Sequence, residues 1–197
     1  MECRPTSAIA KGNSLSQVVA HFLACQSSCP RDELRAYSNK PLKTAIAMAA
    51  HADRGDGKKH SHQWNLFSTT ATRAESILLN SMEAIAACKD FASLHELIKT
   101  KLNIPGAGEM YWYDTAFRIG ISQGIYPDAV YLHRGTRIGA ENLGIAKGKD
   151  VLQMSELPPE LQGLRPYEVE DFLCLYHEDL AKIRPPAEPA AHRQERC

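Results

Sequence analysis

A glycine-rich turn at residues 103–108 is the segment of this sequence best suited to hold an anion. It reads Asn-Ile-Pro-Gly-Ala-Gly, with Gly106 and Gly108 on either side of Ala107. Two glycines let the backbone turn tightly and leave the amide N–H groups unobstructed. Because a helix candidate begins directly after Gly108, these amides would lie at its partly positive end. The expected ligand is a phosphate, although the same residues also suit a plain connector between two helices.

Helix candidates on both sides of this turn predict the elements that position it. The segment before the turn has apolar side chains along one face of a helix, at Leu94, Leu97, Ile98 and Leu102. The segment after it, residues 109–120, is a second helix candidate. The sequence therefore predicts two helices joined by a hairpin over residues 94–120.

With its surroundings, this hairpin resembles the helix-hairpin-helix DNA glycosylases, the endonuclease III-like superfamily. The resemblance covers residues 97–144, which read LIKTKLNIPGAGEMYWYDTAFRIG, then ISQGIYPDAVYLH, then RGTRIGAENLG. A family hairpin of the Leu-Pro-Gly-Val-Gly type corresponds to residues 104–108. The family's later Arg and Leu-Gly-Leu correspond to Arg137 and to residues 143–145. The family's Val-Asp-Thr-His signature is matched poorly.

The resemblance implies an all-α, helix-hairpin-helix DNA glycosylase-like single domain over residues 1–183. The three prolines and low apolar content of residues 184–197 predict a disordered tail. It also implies a monofunctional DNA glycosylase, which hydrolyses the N-glycosidic bond of a damaged or modified base and leaves an abasic site. Bifunctional relatives carry a lysine two residues after the last hairpin glycine, where Met110 stands here. A lysine-dependent lyase step is therefore not expected.

Three residues are candidates for the catalytic group of such an enzyme. Counting forward from the hairpin places Asp128 at the family's aspartate, whereas counting backward from residues 143–145 places His133 there. Asp114 lies four residues after Met110, on the same helix face. Each also has an ordinary structural interpretation: Asp128 as a turn residue, Asp114 as a paired or solvated helix carboxylate, and His133 as a structural histidine.

Aromatic and basic residues are the candidates for contacts with the nucleic acid. The candidates for stacking on an everted base are Tyr111, Trp112, Tyr113 and Trp64, although three consecutive helical residues cannot share one face. The candidates for contacts with the DNA backbone are Lys99, Lys101, Gly106, Gly108, Lys58, Lys59 and Arg137. Core packing of the aromatic residues and a solvated surface for the basic ones are the alternatives.

Composition limits the class of protein. The chain has 197 residues, 44% of them hydrophobic, and a formal net charge of zero, so it suits one globular domain. The eight acidic residues between Asp150 and Leu180 contrast with the basic clusters earlier in the chain. No apolar run is long enough for a membrane span and the N-terminus lacks a signal-peptide layout, so we expect a cytoplasmic location and no membrane partner.

Cofactors are not expected, apart from a monovalent cation at the hairpin, which the resemblance implies. Six cysteines lie without the rhythm of a disulfide framework, so reduced thiols are expected. Many relatives hold an iron–sulfur cluster near the C-terminus with four cysteines. Only Cys174 and Cys197 lie there, so no cluster is expected, and no metal site is predicted elsewhere.

Seven to nine helices are predicted in all. Besides the hairpin pair, helices are expected at residues 14–25, 42–52, 70–91, 136–143 and 166–183. The expected partner is double-stranded DNA carrying a damaged or modified base, bound by a monomer. Both repair of damaged bases and attack on hypermodified phage DNA fit this hypothesis. The alternatives are a non-catalytic helix-hairpin-helix DNA-binding protein and an unrelated helical interaction protein.

Overall fold

The computed structural model describes residues 12–28, 32–60, 63–146 and 148–183. The predicted tail at 184–197 lies outside these residues. The described part is mostly helical, with eleven α-helices. They are α1 (Leu15–Ser28), α2 (Asp32–Tyr37), α3 (Leu42–Ala50), α4 (Ser68–Leu79), α5 (Met82–Ala87), α6 (Phe91–Lys101), α7 (Glu109–Gln123), α8 (Arg134–Asn142), α9 (Pro159–Gln162), α10 (Pro166–Leu175) and α11 (His177–Leu180). None of the helices in the described ranges has both the length and the apolar character needed to cross a bilayer.

A small antiparallel sheet, which the sequence analysis missed, joins two connections between helices. Strand β1 (Ala129–Tyr131) pairs with β2 (Val151–Gln153), and Val130 stands opposite Leu152. Each strand has three residues, too few for an alternating pattern to be recognised in the sequence. The sheet matters because it fixes the chain that leads into α8.

Two predicted long helices are broken in the structure. The helix predicted at 70–91 divides into α4 and α5 at Asn80 and Ser81, where the Ser81 hydroxyl donates to the carbonyl of Ile77 at 3.0 Å. Short polar side chains compete for backbone hydrogen bonds in this way. The helix predicted at 166–183 ends at Leu175, and α11 starts after Tyr176 (φ −105°, ψ 10°).

The buried apolar side chains form two clusters. The first core lies among α3, α4, α6 and α7, and includes Ile46, Leu78 and Phe117. The second core lies among α1, β1, β2, α8 and α10, and includes Phe22 and Leu173. In the second core α8 and α10 approach very closely, because a Cβ on Gly139 would come within 2.2 Å of the carbonyl oxygen of Leu173.

Helix α7 is largely buried and carries a charged side chain into the interior. Arg118 is 1% exposed; its Nε–H donates to Glu33 of α2 at 2.7 Å, and Nη1 donates to Gln63 at 2.6 Å. Nε2 of His60 lies 3.2 Å from the same Glu33 carboxylate. A guanidinium can remain charged in the interior when its donors are satisfied in this way. These contacts tie α2 and the α3–α4 connection to α7.

Candidate functional site

The connection between α6 and α7, residues 102–108 (the hairpin turn), has an exposed tip. Pro105, Gly106 and Gly108 are all exposed, and Gly106 has φ +85°, a conformation that favours glycine. Gly108 is the N-cap of α7. Within the described ranges, no backbone carbonyl accepts from the amide N–H of Gly106 or Gly108. The hairpin turn therefore presents backbone donors at the start of α7.

Two side-chain contacts hold the hairpin turn in place. The hydroxyl of Thr70, on α4, donates to the carbonyl of Pro105 at 3.3 Å. The indole N–H of Trp112 donates to the carbonyl of Leu102 at 2.9 Å, which closes the end of α6 onto α7. The conformation of the turn is therefore fixed by contacts with α4 and α7.

A pocket of about 370 Å³, the hairpin-side pocket, begins directly after the hairpin turn. One wall comes from α6 and α7, and the other from β1, the first turn of α8 and the chain at the start of β2. The pocket brings together five residues that the sequence analysis singled out: Lys99, Trp112, Tyr113, His133 and Arg137. These residues are up to 38 positions apart, between Lys99 and Arg137, and the fold makes them neighbours.

Several aromatic rings line the hairpin-side pocket. The ring of Tyr131 lies 4.7 Å from that of His95 and 5.8 Å from that of Tyr113, measured between centroids. Burial, with a smaller effect from the Lys99 charge, lowers the pKa of His95 to about 4. His95 is therefore neutral near pH 7, and this part of the pocket can accept a flat, uncharged ring.

His133 is the buried polar group of this pocket. It is 4% exposed and its Nε2–H donates to the carboxylate of Glu170, on α10, at 2.6 Å. Burial opposes protonation, but the hydrogen bond and charge of Glu170 outweigh it and raise the pKa of His133. Its other nitrogen, Nδ1, has no hydrogen-bond partner within the described residues. The imidazole is thus fixed at one end and unsatisfied at the other.

The other two catalytic candidates do not line the pocket. The Asp114 carboxylate lies 3.7 Å from Nη2 of Arg118, which is one helical turn further along α7. Asp114 therefore belongs with the buried group around Arg118 and Glu33 and is not part of the pocket. Asp128 is exposed in the connection between α7 and β1. Burial chiefly, and then the charge of Asp128, raise the pKa of Tyr131, so this carboxylate acts on the pocket from a distance.

The aromatic candidates are divided between three environments. Trp112 and Tyr113 line the hairpin-side pocket. Tyr111 is buried on the other side of α7, where its hydroxyl donates to the carbonyl of Ala50 at 2.6 Å, so it packs in the core instead of lining the pocket. Trp64 lies outside the pocket, in the α3–α4 connection, and is exposed.

The basic candidates are also separated in space. Lys101 is exposed at the end of α6, next to the hairpin turn, whereas Lys58 and Lys59 are exposed in the α3–α4 connection. Arg137 is partly engaged: Nη2 donates to the carbonyl of Leu132 at 2.8 Å and lies 3.1 Å from Asp150. Arg137 therefore holds the β1–α8 wall of the pocket in shape.

Several residues of this site were missed in the sequence analysis, and four of them bear on its chemistry. His95, Tyr131 and Glu109 line the pocket, and Glu170 supports His133 from behind. Glu109 had a signal, because it directly follows the last glycine of the hairpin. Glu170 had none, because it lies 37 residues from His133 and meets it only in the folded chain.

The described residues contain no group of three or more His, Cys, Asp or Glu side chains arranged to hold a metal ion. Comparisons with protein-family models, curated proteins and solved structures find no match to this chain.

Proposed function

We propose that this protein is a monofunctional DNA N-glycosylase, which hydrolyses the bond between deoxyribose and a damaged or modified base and leaves an abasic site. One observation carries the proposal: the hairpin turn and the hairpin-side pocket are both built on the start of α7. A backbone-phosphate contact and a pocket for the attached base would then be set at a fixed separation. The resemblance of residues 97–144 to helix-hairpin-helix glycosylases supports the same conclusion.

The hairpin turn would hold the DNA backbone. The exposed amides of Gly106 and Gly108 lie at the positive end of α7, a helix long enough to have a strong dipole. Lys101 adds a positive charge beside them. Such contacts bind any sequence, so recognition of the target base must come from the pocket.

The hairpin-side pocket would hold the everted base. Its volume of about 370 Å³ falls in the range of small-molecule sites, and a base extruded from the duplex is commonly held by aromatic side chains and a few polar groups. Here Tyr113, Tyr131 and Trp112 supply aromatic surface. His133 adds a buried imidazole whose Nδ1 still needs a hydrogen-bond partner.

His133 and Glu109 would carry the chemistry. As the bond from C1′ to the base breaks, its electron pair moves to the base, which takes a proton from the His133 imidazolium. Water adds its oxygen to C1′ and gives a proton to the Glu109 carboxylate, which also stabilises the positive charge developing on the sugar. Glu170 would be a positioning residue, which keeps His133 oriented and protonated.

Base release from defined DNA tests this proposal. Duplexes that carry deaminated, alkylated or oxidised bases, and DNA with hypermodified pyrimidines, are incubated with the full chain, and freed bases are identified by mass spectrometry. Alkali then reveals abasic sites. We expect one class of base to be released, and we expect Glu109→Gln and His133→Asn to lower the rate by about 100-fold or more.

Glu83→Gln, an exposed carboxylate on α5, is the matched control and should leave the rate unchanged. If no DNA in the panel loses a base, or if Glu109→Gln and His133→Asn both remain fully active, the proposed enzyme and its site are wrong. Tight, salt-dependent binding to duplex DNA without base release would instead support a non-catalytic DNA-binding protein.

A further inference from the structure

Two aromatic side chains of the α3–α4 connection stand out by their exposure. Trp64 is 71% exposed and Phe67 is 72% exposed, whereas the other large exposed apolar side chains of the described residues reach 47% at most. Single exposed apolar residues are ordinary, but two aromatic rings three positions apart are not. Neither residue lines the hairpin-side pocket.

The backbone that carries these two rings is held firmly. Gln63, which precedes Trp64, is buried and accepts from Arg118 at 2.6 Å. The ammonium group of Lys59 donates to the carbonyl of Leu66 at 2.6 Å, just before Phe67. The rings are therefore presented from a fixed support, so little conformational freedom would be lost when a ligand stacks on them.

The segment that carries these rings leads directly into the helix that supports the hairpin turn. Phe67 is the N-cap of α4, and Thr70, one helical turn later, contacts Pro105 through its hydroxyl. A Cβ on Gly106 would lie only 2.7 Å from the same Thr70 hydroxyl oxygen. Phe67 is therefore three residues along the chain from the residue that contacts the hairpin turn.

The charges around the rings favour a polyanion over a protein partner. Lys58, Lys59 and Arg73 are exposed, and the chain has no acidic residue between Asp56 and Glu75. Asp56 and Glu75 themselves are paired, with Arg54 at 2.6 Å and His51 at 2.9 Å. The exposed neighbours of the rings are polar: Asn65, Ser68 and Thr69. Two exposed rings surrounded by polar and basic groups are better suited to stacking on bases than to forming a broad apolar interface with a protein.

We propose that Trp64 and Phe67 stack on unpaired bases of a DNA strand while Lys58 and Lys59 contact its phosphates. This inference rests on the proposed function in one respect, that the hairpin turn holds the DNA backbone. Everting one base leaves the base opposite it without a partner, and the exposed rings would receive such unpaired bases. Stacking accepts any base, so this surface would bind opened strands without regard to sequence.

Tryptophan fluorescence tests the proposal without any need for catalysis. The chain has two tryptophans, and Trp112 is half-buried with its indole N–H bonded, so Trp64 is the exposed reporter. The probes are a single-stranded thymidine oligonucleotide and a fully paired duplex of the same length. We expect the oligonucleotide to quench the Trp64 emission, and this quenching to be absent in Trp64→Ala.

Affinity measurements complete the test. Trp64→Ala and Phe67→Ala should each weaken binding of the single strand by about 5-fold to 100-fold, with a much smaller effect on the duplex. Trp64→Phe should retain most of the binding, and Met82→Ala, an exposed apolar residue on α5, should retain all of it. Single-strand affinity that is unchanged in both alanine variants would overturn the inference, as would Trp64-dependent self-association in sedimentation velocity. Stacking without base release would leave this inference standing and remove the proposed enzyme.

Discussion

Arg118 of α7 donates its Nε–H to Glu33 of α2 across 2.7 Å, and both side chains are shielded from solvent. A charge pair in the interior must be fully satisfied, because an unpaired buried charge is very costly. Gln63 and Asp114 complete the surroundings of this guanidinium, at 2.6 and 3.7 Å. The pair thus determines how α2 and the α3–α4 connection are placed on the helix that carries the candidate site.

Removing one member of this pair should destabilise the protein strongly. We expect Glu33→Gln and Arg118→Met each to lower the free energy of unfolding by about 3–5 kcal/mol, because each leaves the partner without its buried counterpart. The double variant should lose much less than the sum of the two. Urea denaturation measures these values. As a control, Lys182→Met removes a surface ion pair with Asp179 and should stay within about 1 kcal/mol of the wild type. Additive losses of stability in the Glu33→Gln, Arg118→Met double variant would contradict the coupling between these two residues.

The hairpin turn should depend on glycine at one position and tolerate alanine at another. Gly106→Ala places a Cβ in a left-handed conformation and near the Thr70 hydroxyl, so we expect a loss of at least about 1–2 kcal/mol. Adding Thr70→Ala to Gly106→Ala should restore only the part of the lost stability that comes from crowding against the hydroxyl, because the left-handed backbone conformation remains. Gly108 has φ −134° and open space around it, so Gly108→Ala should remain within about 1 kcal/mol of the wild type. Thermal and urea unfolding compare the variants, and equal losses at the two glycines would refute this distinction.

Because α8 packs closely on α10, we expect alanine to be tolerated much less well at Gly139 than at Gly163. Gly139→Ala pushes a methyl group toward the backbone carbonyl of Leu173, which cannot move without separating the helices, so we expect a loss of about 1–3 kcal/mol or more. Gly163→Ala meets no atom within 4 Å and has φ −81°, so it should be neutral or slightly stabilising. Melting temperatures report the difference. A Gly139→Ala protein as stable as Gly163→Ala would show that the approach is looser than described.

The contact between His133 and Glu170 predicts a pH dependence of stability. The pKa of His133 is raised in the folded protein, so the imidazolium contributes stability that is complete below its unfolded pKa of about 6.5. This contribution is lost as the pH rises through the higher, folded pKa. In Glu170→Gln the burial of the ring dominates, so the pKa of His133 should fall and this loss of stability at alkaline pH should disappear.

Unfolding free energies between pH 6 and pH 9, together with NMR titration of the histidine ring, measure this effect. Glu168→Gln, on the same helix and paired with Arg165, is the control and should leave the titration of His133 unchanged. A His133 pKa that is the same in wild type and Glu170→Gln would contradict the role of Glu170. His95 titrates separately, at about pH 4, because burial disfavours its charged form.

Local patterns predicted the helical part of the site well. The apolar face of α6 and the glycines of the hairpin turn are visible within short windows, and both helices of the hairpin lie close to their predicted bounds. The break between α4 and α5 was missed, because the Ser81 hydroxyl bonds to the carbonyl of Ile77 at the end of α4, a contact that a hydrophobic stripe does not reveal.

Long-range contacts explain what the sequence could not predict about the candidate site. Tyr111, Trp112 and Tyr113 are consecutive, yet only packing decides that Tyr111 faces α3 and that its two neighbours face the pocket. Glu170 meets His133 through the packing of α10 against β1 and α8. Asp114 was a catalytic candidate from its helix face, but Arg118 one turn later engages its carboxylate.

The hairpin-side pocket has one wall on the first core, through α6 and α7, and the other beside the second core, through β1, β2 and α8. The pocket therefore lies where the two cores meet, and the ring of Tyr131 in one wall contacts that of His95 in the other. A ligand that contacts both walls would stabilise the two cores together. It would slow amide exchange both at Phe117 of the first core and at Leu132 of the second. A substitution that loosens the packing of only one core would therefore change the affinity of the pocket for its ligand, even though no residue that lines the pocket is replaced.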